Sequence, residues 1–260
     1  MPLQSFHGAR RGARTSLSAL AGLALGLTLI GPGIAFAQAD PAADAAPPSR
    51  WSGEGELGFS NTSGNSETSS LVARLAVNYE RARWLHELAL DAVNSSEDGT
   101  TTAERYTASY TANRFLTEQN YIFASLRYDN DRFSGFDYQI SEAVGIGRRF
   151  IQRPGLTLDV EAGAGARQRQ LENGERENEA IGRLAGVLDW RITEVIGLTE
   201  NVLIEAGADN TFSESVTKLR VSMSEALSLN IGFTLRNNSD PPADNVATDT
   251  LLSISVGYTF

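Results

Sequence analysis

Short segments of alternating apolar and polar residues recur along this chain and strongly limit the folds it can adopt. In the last segment, LLSISVGYTF, one face of an extended strand would carry Leu252, Ile254, Val256, Tyr258 and Phe260. Side chains alternate between the two faces of a strand, so each such segment predicts a β-strand with one apolar face. Twelve segments of this kind follow Trp51, separated by clusters of Gly, Asn, Asp and Ser, and none has a convincing helical period. The sequence therefore predicts an all-β protein.

The N-terminal residues have the three parts of a secretory signal peptide. Three arginines precede the apolar run LSALAGLALGLTLIG, and a small-residue pattern ending in AFA follows it. The uncharged stretch is about 16 residues long, shorter than the ~20 that a permanent transmembrane helix needs. We expect cleavage after Ala37, so that 1–37 is the signal peptide. Residues 38–50, rich in Ala, Pro and Asp, are expected to be a flexible periplasmic leader before a single barrel domain over 51–260.

Charge and cysteine content exclude some classes of protein. The full sequence has a net charge of −10, and signal cleavage removes three basic residues and no acidic ones. A strongly acidic chain of this kind is not expected to bind nucleic acid. The sequence has no cysteine, so neither disulfides nor a thiolate metal site can hold an exported fold together. Backbone pairing and burial must supply the stability.

The connections between the segments alternate between a short set and a long set. The short set includes YERAR, LTEQN and WRITEV, and the long set includes NSSEDGTT, QRQLENGEREN, GADNTFSES and NNSDPPADNVATD. Outer-membrane barrels have short periplasmic turns and longer external loops. Hydrocarbon offers no partner to an unpaired backbone group, which favours a closed sheet without edges. The sequence therefore predicts a transmembrane, antiparallel, up-and-down β-barrel of about 12 strands in the outer membrane of a Gram-negative cell.

Aromatic residues near the short connections are expected to form a girdle at one membrane interface. The candidates are Trp51, Tyr79, Trp84, Phe115, Tyr121, Phe150, Trp190 and Tyr258. One residue does not fit the apolar outer face. Glu142 has the same parity as Val144 and Ile146 and would point at lipid. Two interpretations remain open, a β-bulge near this residue or a register that is wrong by one residue.

The segment WSGEGELGFSNTSGNSETSSL at 51–71 and the closing VGYTF resemble the uncharacterised family of salt-induced outer membrane proteins (domain of unknown function 481). The resemblance spans roughly residues 51–260. It implies an outer-membrane barrel and brings no known activity or site residues. The aromatic C-terminus, with Phe260, Tyr258 and Val256, also resembles the signal that the barrel-assembly machinery recognises during biogenesis. The alternative is that Phe260 is only a girdle aromatic.

The polar face of the strands mixes charges of both signs, which would line the lumen. The ion-pair candidates are Arg74, Arg105, Arg127, Asp129, Asp159, Glu161 and Arg236. Long arginine side chains can bridge a small barrel to carboxylates, so a lumen largely filled by ion pairs is the favoured interpretation. An open narrow channel is the alternative. Acidic residues in the long connections have no calcium-loop spacing, and we interpret them as a solvated external face.

His86 is the only histidine that remains after signal cleavage, and some outer-membrane phospholipases use a lipid-facing histidine as a catalytic base. Its position beside Trp84 favours an interfacial residue instead. We therefore expect a monomeric barrel without catalytic activity, cofactor or metal, embedded in outer-membrane lipid and lipopolysaccharide. The expected role is a structural or stress-linked component of the envelope. A narrow channel for ions or small solutes is the alternative, and a lipid-acting enzyme is the third candidate.

Overall fold

The computed structural model describes residues 50–62, 68–132, 134–241 and 245–260. The expected signal peptide, and all but the last residue of the expected leader, lie outside these residues. No helix in the described ranges is long and apolar enough to cross a membrane. The regular structure of these ranges consists of the strands β1 Arg50–Thr62, β2 Thr68–Arg81, β3 Trp84–Glu97, β4 Thr100–Phe115, β5 Asn120–Asp131, β6 Phe136–Arg153, β7 Leu156–Leu171, β8 Arg176–Arg191, β9 Ile196–Ala206, β10 Thr211–Ser222, β11 Leu227–Asn238 and β12 Thr248–Thr259.

The twelve strands form one closed antiparallel barrel, which confirms the predicted fold class. Each strand pairs with the next in the sequence, and β1 pairs with β12 to close the sheet. We call the end that carries the β2–β3 connection and the C-terminus the turn end, and the opposite end the loop end. Closure gives every strand two neighbours, so the sheet has no free edge.

The two faces of the barrel differ in the way that the alternation predicts. Large apolar side chains on the outer face are exposed, among them Leu57, Val144, Ile146, Leu252 and Ile254. Polar and charged side chains fill the inside, where Arg167, Glu205 and Asn230 are almost completely buried. A soluble protein would bury the apolar face and expose the polar one, so this barrel requires an apolar surrounding.

Several of the expected long connections are largely paired strand. In NSSEDGTT, β3 continues to Glu97 and β4 begins at Thr100, so only Asp98 and Gly99 form the turn. Both have positive φ, 49° and 75°, as in the two-residue hairpin turns that match strand twist. The expectation of long loops was wrong here, because backbone pairing continues beyond the region in which one face is apolar. The β11–β12 connection, 239–247, is the longest at the loop end.

Neither interpretation of Glu142 was correct. Its side chain is exposed on the outer face, and β6 pairs without interruption with β5 and β7 on both sides of it, opposite Leu126 and Ala166. The bulges of β6 lie near its two ends instead. Glu142 is two outward positions from Tyr138, which packs against Tyr128 with ring centroids 6.3 Å apart. The carboxylate therefore lies close to the loop-end aromatic residues, where an interface would be less apolar than hydrocarbon.

Two of the expected girdle aromatics point into the barrel. Phe115 and Tyr121 have their ring centroids 5.1 Å apart and pack with Phe123 and Ala143 in a small apolar cluster inside the lumen. A β-carbon at Gly147 would overlap the Tyr121 ring, and one at Gly145 would lie 2.7 Å from the Phe123 ring. Glycines on β6 therefore make room for two aromatic rings inside the barrel.

Candidate functional site

The centre of the lumen is crossed by four charged side chains, which we call the central cluster: Arg127, Asp129, Glu214 and Arg236. The Arg127 guanidinium donates to both carboxylate oxygens of Glu214, Nη1 to Oε1 at 2.9 Å and Nη2 to Oε2 at 3.0 Å. Its Nε also donates to Asp129 at 2.6 Å. Arg127 is on β5 and Glu214 is on β10, and these strands are not neighbours in the barrel. The contact therefore crosses the lumen.

Arg236 on β11 completes the central cluster. Its Nε lies 2.6 Å from Glu214 Oε2, and its Nη1 lies 3.5 Å from Asp129 Oδ1. The side chains of all four residues are between 11% and 14% exposed. Two cations and two carboxylates thus neutralise one another in a largely buried layer. Bidentate arginine–carboxylate bonds have a fixed geometry, which makes this layer a specific closure rather than loose filling.

A second group of charges lies nearer the turn end and joins β10 to β1 and β2. Lys218 donates to Glu54 at 2.9 Å and to Glu56 at 2.7 Å. Arg220 also contacts Glu54, at 3.0 Å, and Arg74 on β2 lies 3.9 Å from Glu56. β10 and β1 are separated by β11 and β12 in the sheet, so these bonds also span the interior.

The opposite wall of the lumen combines charges with the apolar cluster. Arg149 donates to Asp159 at 2.8 Å, and Arg183 donates to Glu161 at 2.6 Å. The Tyr121 hydroxyl donates to Glu161 at 3.2 Å, while the Arg183 guanidinium lies 4.8 Å from the Phe123 ring centroid. Aromatic rings thus fill the space between charged groups that could otherwise hold water.

Towards the loop end, Arg167 is completely buried. It donates to Glu179 at 2.6 Å and to the Asn210 carbonyl oxygen at 2.5 Å. These bonds fix the β9–β10 connection to the inner wall of β7, so this end of the lumen is narrowed by ordered side chains.

Cavities are present on both sides of the central cluster. The larger one, about 720 Å³, opens at the turn end and is lined by Thr157, Asp189, Arg220 and Thr259, among others. The smaller one, about 230 Å³, lies towards the loop end and is lined by Arg105, Asp131 and Asp249, and also by Arg236 of the central cluster. Side chains, not backbone, separate these two spaces.

The sequence of this closed twelve-stranded barrel matches a known protein family. The model of the family described as "Protein of unknown function, DUF481" matches residues 55–260. The chain belongs to the DUF481 family. The matched region contains nearly all of the barrel, including every residue of the central cluster.

This DUF481 barrel is 27% identical over 220 residues to the uncharacterised protein YdiY of Escherichia coli K12. The aligned region covers 84% of this chain and 86% of YdiY. Among solved structures, the COG4313 outer membrane channel of Pseudomonas putida F1 covers 86% of this chain and 100% of its own, with 12% identity and a TM-score of 0.49. The NanC porin covers 81% of this chain and 98% of its own, with 11% identity and a TM-score of 0.45.

The structure of the DUF481 barrel places all seven ion-pair candidates inside the lumen and gives each of them a charged neighbour. Arg74 lies 3.2 Å from Asp91, and Arg105 lies 3.7 Å from Asp131. Arg127, Asp129 and Arg236 belong to the central cluster. Asp159 and Glu161 lie on the opposite wall, where Asp159 pairs with Arg149 and Glu161 pairs with Arg183. The candidates therefore belong to several groups and not to one site.

Sequence reasoning missed Glu214, which is essential to the crossing contact. The residue lies in GADNTFSES, which was assigned to a long connection, but β10 begins at Thr211. The alternation of side chains could have identified it, because Glu214 lies on the same strand face as Lys218 and Arg220. Arg149 was missed in the same way, at the end of a segment whose parity was in doubt because of Glu142.

The C-terminal residues close the barrel. Val256 pairs with Leu57 and Tyr258 pairs with Gly55, and both side chains are exposed on the outer face. Phe260 exchanges two main-chain hydrogen bonds of 3.0 Å with Gly53, one in each direction. A β-carbon at Gly53 would overlap the Phe260 ring, so that glycine makes room for the terminal aromatic.

His86 lies on the outer wall near the turn end. Its Nδ1 is 2.8 Å from the Tyr110 hydroxyl, and its ring stacks on Trp84 with centroids 5.7 Å apart. The contacts of this histidine are thus aromatic residues, as the interfacial interpretation expects.

Proposed function

We propose that the protein is an integral outer-membrane barrel that acts as a structural component of the envelope and is closed to free diffusion in its resting state. The observation that carries the proposal is the central cluster, in which Arg127 of β5 holds Glu214 of β10 across the lumen at 2.9 and 3.0 Å. A pore for general diffusion needs a continuous water-filled path, and paired side chains occupy that path here.

The membrane location is supported by the surface of the barrel. Apolar side chains cover the outer face, and the exposed aromatics Trp51, Trp84, Phe150, Trp190 and Tyr258 lie towards the turn end. Tyr106 and Tyr128 are exposed further towards the loop end. Two levels of aromatic residues around an apolar band are typical of outer-membrane barrels. The expected signal peptide supports export to that compartment.

Conductance in planar lipid bilayers tests the closed state. We expect little steady current through the purified wild-type protein. Replacing both cations of the central cluster, Arg127→Ala with Arg236→Ala, leaves Asp129 and Glu214 without their partners, so the carboxylates repel each other and attract cations and water. The double variant should conduct, with a preference for cations. It should also lose about 1–3 kcal/mol of unfolding free energy per abandoned partner.

The control for this experiment is Arg132→Ala, which removes an arginine–carboxylate pair of 3.1 Å with Glu104 outside the central cluster. The Arg132 side chain is 69% exposed, so the substitution should change neither conductance nor stability measurably. A large steady current through the wild-type protein would contradict the proposal, and a double variant that stays closed would show that the closure does not depend on the central cluster.

A narrow gated channel is the second candidate, and the two cavities favour it. One opens at the turn end, the other borders Arg236 of the central cluster towards the loop end, and side chains lie between them. A path between the two spaces would need rotamer changes of Arg127 and Arg236 and also of the Lys218 and Arg220 side chains that bond to Glu54. The channel would be favoured over the purely structural role if the wild-type protein shows brief, discrete current steps. These steps should disappear when β5 and β10 are cross-linked at the central cluster.

A further inference from the structure

The outer wall carries a concave site that the proposed function does not use. A cavity of about 400 Å³ at the turn end of β2 and β3 is lined by Tyr79, Arg81, Ala82, Trp84 and His86. Arg81 and Trp84 are paired across the two strands, next to the turn between them. In this turn Ala82 has a φ of 52°, a left-handed conformation that is uncommon for residues other than glycine. The tight turn places a cation and an indole side by side at the rim of the cavity.

Aromatic rings hold the histidine in place. His86 lies between Trp84 and Tyr110, with ring centroids 5.7 and 6.1 Å away and interplanar angles of 10° and 18°. The Tyr110 hydroxyl is 2.8 Å from Nδ1. When this hydroxyl donates to Nδ1, the proton of the neutral imidazole is on Nε2, which becomes a hydrogen-bond donor for a ligand.

Two arginines near the cavity have no acidic partner among the described residues. Arg81 lines the cavity, and the Arg114 guanidinium lies 5.7 Å from the Trp84 ring centroid. Within the described part of the chain, neither forms an ion pair with a carboxylate, whereas the lumen arginines are paired. Next along the same wall, Leu88 and Leu90 are exposed. Cations at the interface beside an apolar wall match the charge and shape of an anionic lipid.

We propose that this site binds the headgroup of an anionic phospholipid of the inner leaflet, a phosphatidylglycerol-like lipid. The phosphate would lie between Arg81 and Arg114, with His86 as a further donor, and the acyl chains would follow Leu88 and Leu90. The inference rests on the proposed membrane location, in which the turn end faces the periplasm. That orientation excludes lipopolysaccharide, because its lipid A occupies the outer leaflet.

The test is native mass spectrometry of the protein released from nanodiscs that contain phosphatidylcholine with a minor fraction of phosphatidylglycerol. We expect the wild-type protein to retain one phosphatidylglycerol in preference to phosphatidylcholine. Arg81→Gln and Arg114→Gln should each lower this retention about fivefold, since one interfacial cation contributes about 1 kcal/mol to the binding of anionic lipid. The matched control is Arg148→Gln, because Arg148 lies over Phe150 at 5.5 Å on the same belt, and neither residue lines the cavity, whereas Arg114 lies over the cavity residue Trp84.

Heat-dependent gel migration of the same samples shows separately whether the barrel has inserted, so a failure of the membrane location is distinguishable from a failure of the site. An inserted wild-type protein that retains no phosphatidylglycerol overturns the proposal. Equal loss of retention in Arg148→Gln overturns it as well, since the effect would then be general surface charge. Retention of added lipid A in place of phosphatidylglycerol is also a contrary result.

Discussion

At the scale of single residues, the packing inside the barrel depends on a glycine, which leaves room for a neighbouring ring. Gly147 has only a hydrogen atom where a β-carbon would overlap the Tyr121 ring, and the Tyr121 hydroxyl in turn bonds to Glu161. An aromatic ring thus reaches an acidic partner inside the lumen only because the neighbouring strand offers a flat surface. The charged residues of the lumen need this kind of filling, since a void beside an ion pair would admit water.

Gly147→Ala should therefore lower the stability of the folded barrel by about 1–3 kcal/mol, the range expected for an overpacked position. Gly55→Ala is the control, because no atom lies within 4 Å of the β-carbon it would add on the outer face. Urea-induced unfolding of both variants in lipid vesicles, followed by tryptophan fluorescence, gives the comparison. Equal stability of the two variants would show that Tyr121 moves aside without cost.

At the scale of strands, the seam between β1 and β12 differs from the other pairings. β1 pairs with β2 along its whole described length, from Arg50 to Thr62, but with β12 only from Glu54 to Leu57. The main-chain bonds between Gly53 and Phe260 extend this short seam by one further pair. The last residue of the chain therefore contributes backbone pairing to closure in addition to its aromatic side chain.

Two variants separate these contributions of Phe260. Phe260→Ala keeps the main-chain bonds and removes the ring, which is 57% exposed and adds less than the roughly 1.5–3 kcal/mol of a fully buried aromatic. Deletion of Phe260 also removes two main-chain hydrogen bonds, each contributing about 0.5–1.5 kcal/mol. Refolding from urea into detergent should be nearly normal for Phe260→Ala and weaker for the deletion.

Assembly in cells tests the expected recognition of the C-terminus. If the assembly machinery recognises the aromatic ring, both Phe260 variants should accumulate in the periplasm or be degraded, although Phe260→Ala refolds in detergent. Normal outer-membrane levels of Phe260→Ala would show that the ring is only a girdle aromatic and that the assembly-signal prediction is wrong.

At the scale of the whole molecule, stability comes from a closed ladder of backbone bonds and from charges paired across it, since the chain has no cysteine. A closed ladder has no edge from which unfolding can begin, so the folded barrel should resist detergent until it is heated. The ion pairs add connections between strands that are not neighbours, as between β5 and β10.

We expect the folded protein to migrate differently on a gel before and after boiling in detergent. The unheated barrel should stay compact, whereas the boiled chain should run at the position of an unfolded protein of its length. The measurement requires a sample shown by circular dichroism to be folded as β-sheet. Identical migration before and after boiling would contradict a stable closed barrel.

The alternating pattern predicted twelve strands and their outer and inner faces, and together with the connections it predicted the closed barrel. These features depend on a period of two along the chain, which is a local property. The same pattern failed where it ends: beyond the apolar band both faces are polar, so the paired residues of NSSEDGTT were expected in a loop. Phe115 and Tyr121 were assigned to the girdle because they lie near short connections, although the alternation places both on the inner face.

The alternation along each strand decides which charged side chains face the lumen, and Arg127 and Asp129 lie on that face. The partnership of Arg127 with Glu214 on β10, in addition to Asp129 on its own strand, follows only from the three-dimensional fold. The alternation along a strand fixes the face of the sheet on which a side chain lies. It fixes neither the position of that side chain along the barrel axis nor its partner on the opposite wall. Those depend on the register and tilt of every strand between them, because the two residues come together only when the barrel closes.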